Sequence, residues 1–323
     1  MPVIAVADGT GKLGCTVVDA IVEHGGYEVV VLARAASKAK QKELGVRVIG
    51  VDYKSVEALT ETLENENVDT VIATFDSAAP PDPELALVKA CDASSKTRRF
   101  IPNWWGIRYT AEVAAIFPIA ASKIAVLETL EKTNLEFTTV INGFFADYYV
   151  PKIPSRMGPF TMALDIPNNV AAIPGTGDVP VAFTHTMDVA HFTASLLGLP
   201  EWPRESYIVG EKLTWNEFLA VVEEAKGSKF NVSYDPLEKL QKDEITELPG
   251  HKTMHAFVPK QVLDGLLAVF GILFEEGYFD LKPVKSMSTF KARTVQQMVK
   301  ENFHDQPDST QSTCDVANYL GSK

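Results

Sequence analysis

Three glycines and one lysine carry the chemistry most readily read from this sequence. Gly9, Gly11 and Gly14 stand in Asp8-Gly9-Thr10-Gly11-Lys12-Leu13-Gly14, directly after a short apolar strand pattern, Val3 to Ala7. They open a helical pattern in which Leu13, Val17 and Ile21 recur every four residues until Gly25-Gly26 stops it. Between a strand and a helix, G-x-G-x-x-G is a cradle for a dinucleotide pyrophosphate. The first glycine permits the tight turn, the second lets the phosphates approach the backbone, and the third lets helix and strand pack closely. The helix N-terminus adds unpaired N–H groups and the positive end of its dipole. Gly9, Thr10, Gly11, Lys12, Leu13 and Gly14 are therefore the expected cofactor-binding residues of the turn. An acidic residue about 20 positions later, at the end of the second strand, would accept from ribose hydroxyls and repel a 2′-phosphate. This chain has Arg34 there, whose guanidinium pairs with such a phosphate, so NADP is the expected cofactor. Lys38 is either a second cation for that phosphate or a solvated surface lysine. Asp52, at the end of the third strand, is a candidate partner for the adenine amino group, and Thr74 and Phe75 close the fourth strand beside the expected cofactor path.

The lysine is Lys123. On a helical projection Val126, Leu130, Lys123, Leu127 and Ile124 share one apolar face, while Glu128, Thr129, Glu131 and Lys132 occupy the rest. An ammonium buried on such a face is costly, and its pKa falls toward neutrality, which suits proton transfer. The alternative is a first-turn lysine whose ammonium reaches back to water. Lys123 is the candidate catalytic residue.

The elements that must position these groups alternate. Val3–Ala7, Glu28–Ala33, Arg47–Val51, Thr70–Thr74, Arg99–Pro102 and Glu136–Ile141 read as six strands separated by helical patterns. One such helix is expected to be capped by Asp82 ahead of Pro83 and to run through Leu85, Val88 and Cys91. Another is expected to open at Ser122. That alternation predicts an α/β, Rossmann-type doubly wound parallel sheet over residues 1–150. Six prolines between Pro151 and Pro180 then end it, and a smaller α+β substrate-binding region is expected over 151–177 and 199–305, with 178–198 rejoining the first domain. Within that second part Phe183–Leu197 reads as helix, then Ser206–Val209, Thr214–Glu224 and Asn231–Tyr234 as strand, helix and strand, with a packed apolar helix over Val262–Tyr278. Residues 306–323 read as a loose polar tail.

Composition narrows the class. With 46% hydrophobic and 22% charged residues the chain is an ordinary globular one, and a net charge of −12 opposes contact with a nucleic-acid backbone. Cys15, Cys91 and Cys314 match neither a zinc site nor a redox pair, and no metal is expected; free thiols suit a reducing, cytoplasmic compartment. The N-terminus reads as a first strand and not as a signal peptide, and no apolar tract approaches the roughly 20 residues that span a bilayer.

Together, the Asp-Gly-Thr-Gly-Lys-Leu-Gly turn, Val31-Leu-Ala-Arg34, Arg99-Phe-Ile-Pro102 and Lys123 fifteen residues before Thr138 resemble the NmrA-like and isoflavone reductase-like family of atypical short-chain dehydrogenases, its fungal members in particular. Asn142-Gly-Phe144-Phe145 and the stretch from Gly177 through Ala190 extend the resemblance over most of the chain. It implies an NADP-binding Rossmann domain, cofactor contacts from Asn142 and Phe144, and proton transfer by Lys123, which also borders the cofactor, in place of the Tyr-x-x-x-Lys pair; Ile119 stands where that tyrosine would be. Pro102-Asn103-Trp104-Trp105-Gly106 replaces the Pro-Ser-Glu-Phe-Gly of plant members, so their phenylpropanoid substrates do not carry over. Asp8 stands where family turns usually begin with glycine, and a carboxylate there either caps the helix or repels the pyrophosphate.

The reading that joins these residues is an NADPH-dependent reductase of a small aromatic or polycyclic substrate, in keeping with secondary metabolism. Asn103, Trp104, Trp105, Phe145, Tyr148, Tyr149 and His185 would line its pocket, though aromatics at such positions are equally ordinary core and His185 equally a structural histidine. A non-enzymatic NADP-binding redox sensor that regulates a protein partner, and an epimerase or isomerase with retained cofactor, are the alternatives.

Overall fold

Apolar β-branched runs bounded by glycine and proline form the strands of a central sheet, and the computed structural model describes residues 1–158, 160–282 and 290–304. In chain order come β1 (Val3–Ala7), α1 (Lys12–His24), β2 (Glu28–Ala33), α2 (Lys38–Leu44), β3 (Arg47–Gly50), α3 (Val56–Asn65), β4 (Val68–Ala73), α4 (Asp82–Ala93), β5 (Arg99–Ile101), α5 (Ala111–Ile116), α6 (Pro118–Leu130) and β6 (Glu136–Phe137). The strands lie in the order β3-β2-β1-β4-β5-β6, all parallel, with Val6 beside Val31 on one side and Ile72 on the other. Every residue of β1 is buried, as a strand covered on both faces requires. Gly25, at φ +71, ends α1 where a β-carbon would be strained. Strand order reverses between β1 and β4, so the crevice at their carboxyl ends is where a ligand of an open α/β sheet sits.

The second half continues as β7 (Thr139–Ile141), β8 (Phe144–Phe145), a 3-10 turn (Ala146–Tyr149), β9 (Leu164–Asp165), β10 (Val170–Pro174), β11 (Val181–Thr184), α7 (Thr186–Leu197), β12 (Glu205–Tyr207), β13 (Glu211–Leu213), α8 (Trp215–Lys226), β14 (Asn231–Asp235), α9 (Leu237–Leu240), α10 (His251–Met254), α11 (Lys260–Glu275) and α12 (Val295–His304). It builds two three-stranded sheets, β14-β10-β9 and β13-β11-β8, around an aromatic core that includes Phe144, Phe183, Trp215, Phe218, Phe274 and Phe279. Helix α7 returns to the first half. Val189, Phe192 and Leu196 pack with Val17, Val18 and Ile21 of α1 on one face of the large sheet, while α3, α4 and α6 cover the other through Leu59, Leu63, Leu87, Val88, Val126 and Leu130.

Four local expectations need correction. The sixth strand breaks at Thr138: Glu136–Phe137 extends the large sheet, whereas Thr139–Ile141 pairs with Glu205–Tyr207. A buried hydrogen bond of 2.8 Å between the Thr138 and Ser206 hydroxyls, and Thr139 N–H donating to Arg204 O, draw the chain away. The helix carrying Lys123 starts at Pro118 and not at Ser122, because Pro118 is already set for a first helical turn. Asp82 does not cap α4; Pro81 precedes the helix, no side chain caps it, and Asp82 acts only as a charge in the first turn. Phe183 and Thr184 belong to a strand, and the helix expected from Phe183 begins at Thr186. Cys15 and Cys91 are buried free thiols. Pro159, Cys314 and the tail from 306 lie outside the described residues. Among the described residues, no helix is long and apolar enough to cross a membrane.

Candidate active site

Gly9, Gly11 and Gly14 occupy the turn between β1 and α1, and each spot has its own reason for glycine. A β-carbon at Gly14 would lie 2.6 Å from both Gly9 Cα and Thr74 Oγ1, so the third glycine is where helix, turn and β4 meet. One at Gly9 would lie 2.9 Å from Val6 O. At Gly11 it would meet only Asp8 O at 3.5 Å, which leaves the outer side open to an incoming group. No side chain caps α1, and among the described residues the amides of Lys12, Leu13 and Gly14 have no acceptor. A cradle of free N–H groups, with glycine where an atom would intrude, fits a pyrophosphate. Asp8 is part of this turn at φ +53, yet its carboxylate does not cap the helix; its N–H donates to Leu32 O at 2.8 Å and to the Tyr53 hydroxyl at 3.1 Å. Burial raises the Asp8 carboxyl above its usual range, against the pull of Arg34 and with the repulsion of Asp76. From the second half, Arg156 ties its segment to α1 and α2 through Asp19 at 2.8 Å and Glu43 at 2.6 Å. Two residues on, Gly158 lies so close to the Lys12 ammonium that a β-carbon would sit 2.7 Å from it.

Arg34 follows β2, exposed and without a hydrogen bond or ion pair among the described residues, although Asp8 and Tyr53 feel its charge. Lys38 opens α2 and is exposed as well. Asp52 is engaged locally, its carboxylate accepting from Lys54 N at 2.9 Å. Thr74 is buried; its hydroxyl donates to Ala7 O at 2.8 Å and fastens β4 to β1. Phe75 is half-buried edge-on against Tyr53, ring centroids 5.0 Å apart.

Lys123 is 6% exposed, with Ala120, Val126 and Leu130 buried on the same face of α6. Its ammonium donates to Asn103 O and stands 5.4 Å from the centre of the Tyr109 ring. Burial lowers its pKa to about 8, opposed by the negative charge of Glu84. Glu84, on α4, is also 6% exposed and accepts from Asn103 N at 2.7 Å. Phe75, Asp76, Glu84, Asn103, Ser122 and Lys123 share a cavity of about 20 Å³, the size of one water. The turn, β4 and the loop after β5 thus bring Lys123 and Asn103 to the same end of the sheet as the glycines. Glu84 joins the site although the sequence pattern alone does not mark it. It interrupts an apolar face as Lys123 does, since Glu84, Leu87, Val88 and Cys91 form one buried face, in place of the face through Leu85.

The NmrA-like family matches residues 2–301. The chain belongs to the NmrA-like family. This NmrA-like protein is 31% identical to Oxidoreductase BOA1 of Botryotinia fuckeliana over 279 residues, 85% of this chain and 89% of that one. It is 27% identical to phenylcoumaran benzylic ether reductase TP7 of Nicotiana tabacum over 263 residues, 76% and 82% of the two chains. A ternary complex of leucoanthocyanidin reductase from Vitis vinifera shares its fold, with a TM-score of 0.71 at 19% identity over 94% of this chain and 99% of the other. The NmrA-like protein is an oxidoreductase of the isoflavone reductase and NmrA type.

The remaining expected residues of the NmrA-like protein divide between site edge and core. Trp105 is buried and donates from Nε1 to Ala73 O at 3.0 Å, closing the end of β4. Trp104 is buried edge-on against Tyr109, and both line a cleft of about 790 Å³ with Arg108, Phe137, Arg204 and Tyr207. Lys123 does not line that cleft. Asn142 is fully buried, its amide donating to Gly143 O while, among the described residues, Oδ1 has no hydrogen-bond partner. Phe144 packs among Phe274, Phe270 and Trp215, and Tyr149 donates to Met162 O at 2.7 Å, so both serve the aromatic core. Phe145 and Tyr148 are half-buried, with Tyr148 beside Phe160 at 5.2 Å. His185 is 0% exposed and caps α7 by accepting from Met187 N at 3.2 Å, with Arg293 on the same ring nitrogen and Asp147 3.5 Å from the other. Its Nε2 is buried and has no hydrogen-bond partner among the described residues.

Proposed function

We propose that this oxidoreductase is an NADPH-dependent reductase of a small aromatic or polycyclic molecule, with Lys123 as the proton donor. The observation that carries the reading is the Lys123 ammonium, buried on an apolar helix face and held by Asn103 O at the glycine-turn end of the sheet. NADPH, when bound, supplies hydride. The free amides of the turn would hold its pyrophosphate, and Arg34 with Lys38 its 2′-phosphate. Lys123 Nζ gives a proton to the oxygen on which charge develops; a group titrating near 8 is protonated at neutral pH yet releases its proton at modest cost. Phe145, Tyr148 and Phe160 offer half-buried ring faces for a flat guest. The reductase names of the plant relatives support an aromatic substrate, and the buried free thiols suit a reducing cytoplasm. The division into a cofactor domain over 1–150 joined by 178–198, with substrate held by 151–177 and 199–305, follows the same reading and is supported by α7 on α1.

The test is oxidation of NADPH by purified protein with a panel of quinones, flavonoid-like ketones and benzylic ethers, wild type beside Lys123→Met. Turnover should fall by about 10²- to 10⁴-fold in the variant while NADPH binding stays within a few-fold. Equal rates would remove Lys123 from the chemistry, and failure to bind NADPH would remove the reading as a whole.

A further inference from the structure

Glu84 and Lys123 grip the same residue from opposite sides. Glu84 Oε1 accepts the Asn103 N–H at 2.7 Å, and the Asn103 carbonyl accepts from Lys123 Nζ, so helices α4 and α6 are joined through one residue of the loop after β5. Both side chains are 6% exposed and line the same water-sized cavity. An isolated charge in either position would carry a large desolvation penalty, whereas opposite charges offset part of it for each other. Asp76 lines the cavity from the loop after β4, and the Tyr109 ring covers Nζ from the loop after β5. Helix α3, packed on α4, keeps Glu57 and Glu61 exposed and ties Glu64 to the Ser95 amide.

We propose that Glu84 is the positioning residue of proton transfer at Lys123: it fixes Asn103 so that its carbonyl orients Nζ, and its carboxylate keeps the buried ammonium charged until a substrate takes the proton. The proposal rests on the reading of Lys123 as donor. When an Nζ–H bond breaks, the proton goes to the substrate oxygen and the electron pair stays on nitrogen, leaving a neutral amine beside a carboxylate. That arrangement favours recapture of a proton from water. The direction of the pKa changes agrees: Glu84 raises the Lys123 value against burial, and Lys123 and the Asn103 N–H hold Glu84 down against burial, leaving it at about 6.

Glu84→Gln separates charge from shape, because the amide oxygen still accepts from Asn103 N–H. The probe is the protein alone, with its lysine side chains isotope-labelled and the Nζ and Cε resonances followed by NMR against pH; Lys123→Met assigns the signal. The Lys123 midpoint should fall by about one pH unit or more in Glu84→Gln, and the alkaline limb of kcat/KM should move by the same amount with NADPH affinity unchanged. An unmoved midpoint overturns the proposal. Should Glu84→Gln not fold, Glu84→Asp keeps the charge on a shorter arm, and its midpoint must differ from wild type by less than one unit while turnover drops; wild-type turnover there overturns the positioning role. Since the titration needs no substrate, a midpoint shift together with wild-type turnover of Lys123→Met would leave the coupling standing and reject the donor role.

Discussion

The mouth at Arg34 and the pocket at Lys123 lie at one end of the same sheet and handle charge in opposite ways. At the mouth, Arg34 and Lys38 are exposed, and among the described residues the first amides of α1 have no acceptor. At the pocket, Lys123 and Glu84 are buried and each is held from within by the backbone of Asn103. A highly charged ligand is captured best by donors that have nothing else to bind, since no internal bond must break. Proton transfer near neutral pH instead needs a group whose protonation the protein controls, and burial gives that control.

The sharpest way to break the contrast is at the point where the two regions share backbone. Gly14→Ala puts a methyl 2.6 Å from Gly9 Cα and Thr74 Oγ1; it should cost about 1–3 kcal/mol of stability and abolish measurable NADPH binding, read by chemical denaturation and calorimetry. Normal binding would mean that the turn has slack the packing denies. Next in size, Arg34→Ala should weaken NADPH by about 1.5–3 kcal/mol, on the order of 10- to 100-fold, and leave NADH nearly unchanged. An equal loss for both would show that the mouth does not read the 2′-phosphate.

The pocket has its own test, in stability. Burial depresses the Lys123 pKa from 10.5 to about 8, so between those values the unfolded chain holds a proton that the folded one has released, and wild-type stability rises with pH across that window. Lys123→Met lacks this titration but leaves Glu84 buried without its counter-charge, so the difference in melting temperature between variant and wild type should move steadily in favour of wild type from about pH 8 to pH 10.5. A constant difference would place the ammonium in water. The smallest effect belongs to Asp8, a carboxylate in an otherwise cation-and-amide turn. Asp8→Asn should tighten NADPH by about 0.2–1 kcal/mol at neutral pH. Because burial raises the Asp8 pKa, the gap between variant and wild type should close as pH falls and wild type loses the charge. A gap independent of pH would mean that the Asp8 carboxylate does not face the bound phosphates.

The contrast also explains which parts were legible beforehand. The mouth is written in consecutive residues: Gly9 to Gly14 lie in one turn, Arg34 follows one strand, and each can be read without knowing its neighbours. Lys123 was legible because a charge interrupts an apolar face within a single helix; the same interruption at Glu84, where Leu87, Val88 and Cys91 share its face, is masked by a rival apolar face through Leu85, Val88 and Cys91. Pocket lining was not legible. Phe144 and Tyr149 look like Phe145 and Tyr148 in sequence, but the structure buries the first two in the aromatic core and leaves the other two half-buried. His185 looks like a reactive group, and its Nδ1 is engaged in capping α7.

By itself, then, the sequence determined the order and type of the elements of the large sheet, the phosphate turn and the basic residue after β2, since hydrophobic period, glycine spacing and charge sign are local properties. Tertiary structure alone decided that the sixth strand would split at Thr138 to pair with Ser206, that Asp82 would cap nothing, and that Glu84 and Lys123 would meet across Asn103. Those outcomes depend on segments that are far apart in the chain competing for the same hydrogen-bond partners and the same space, and no local pattern encodes who wins.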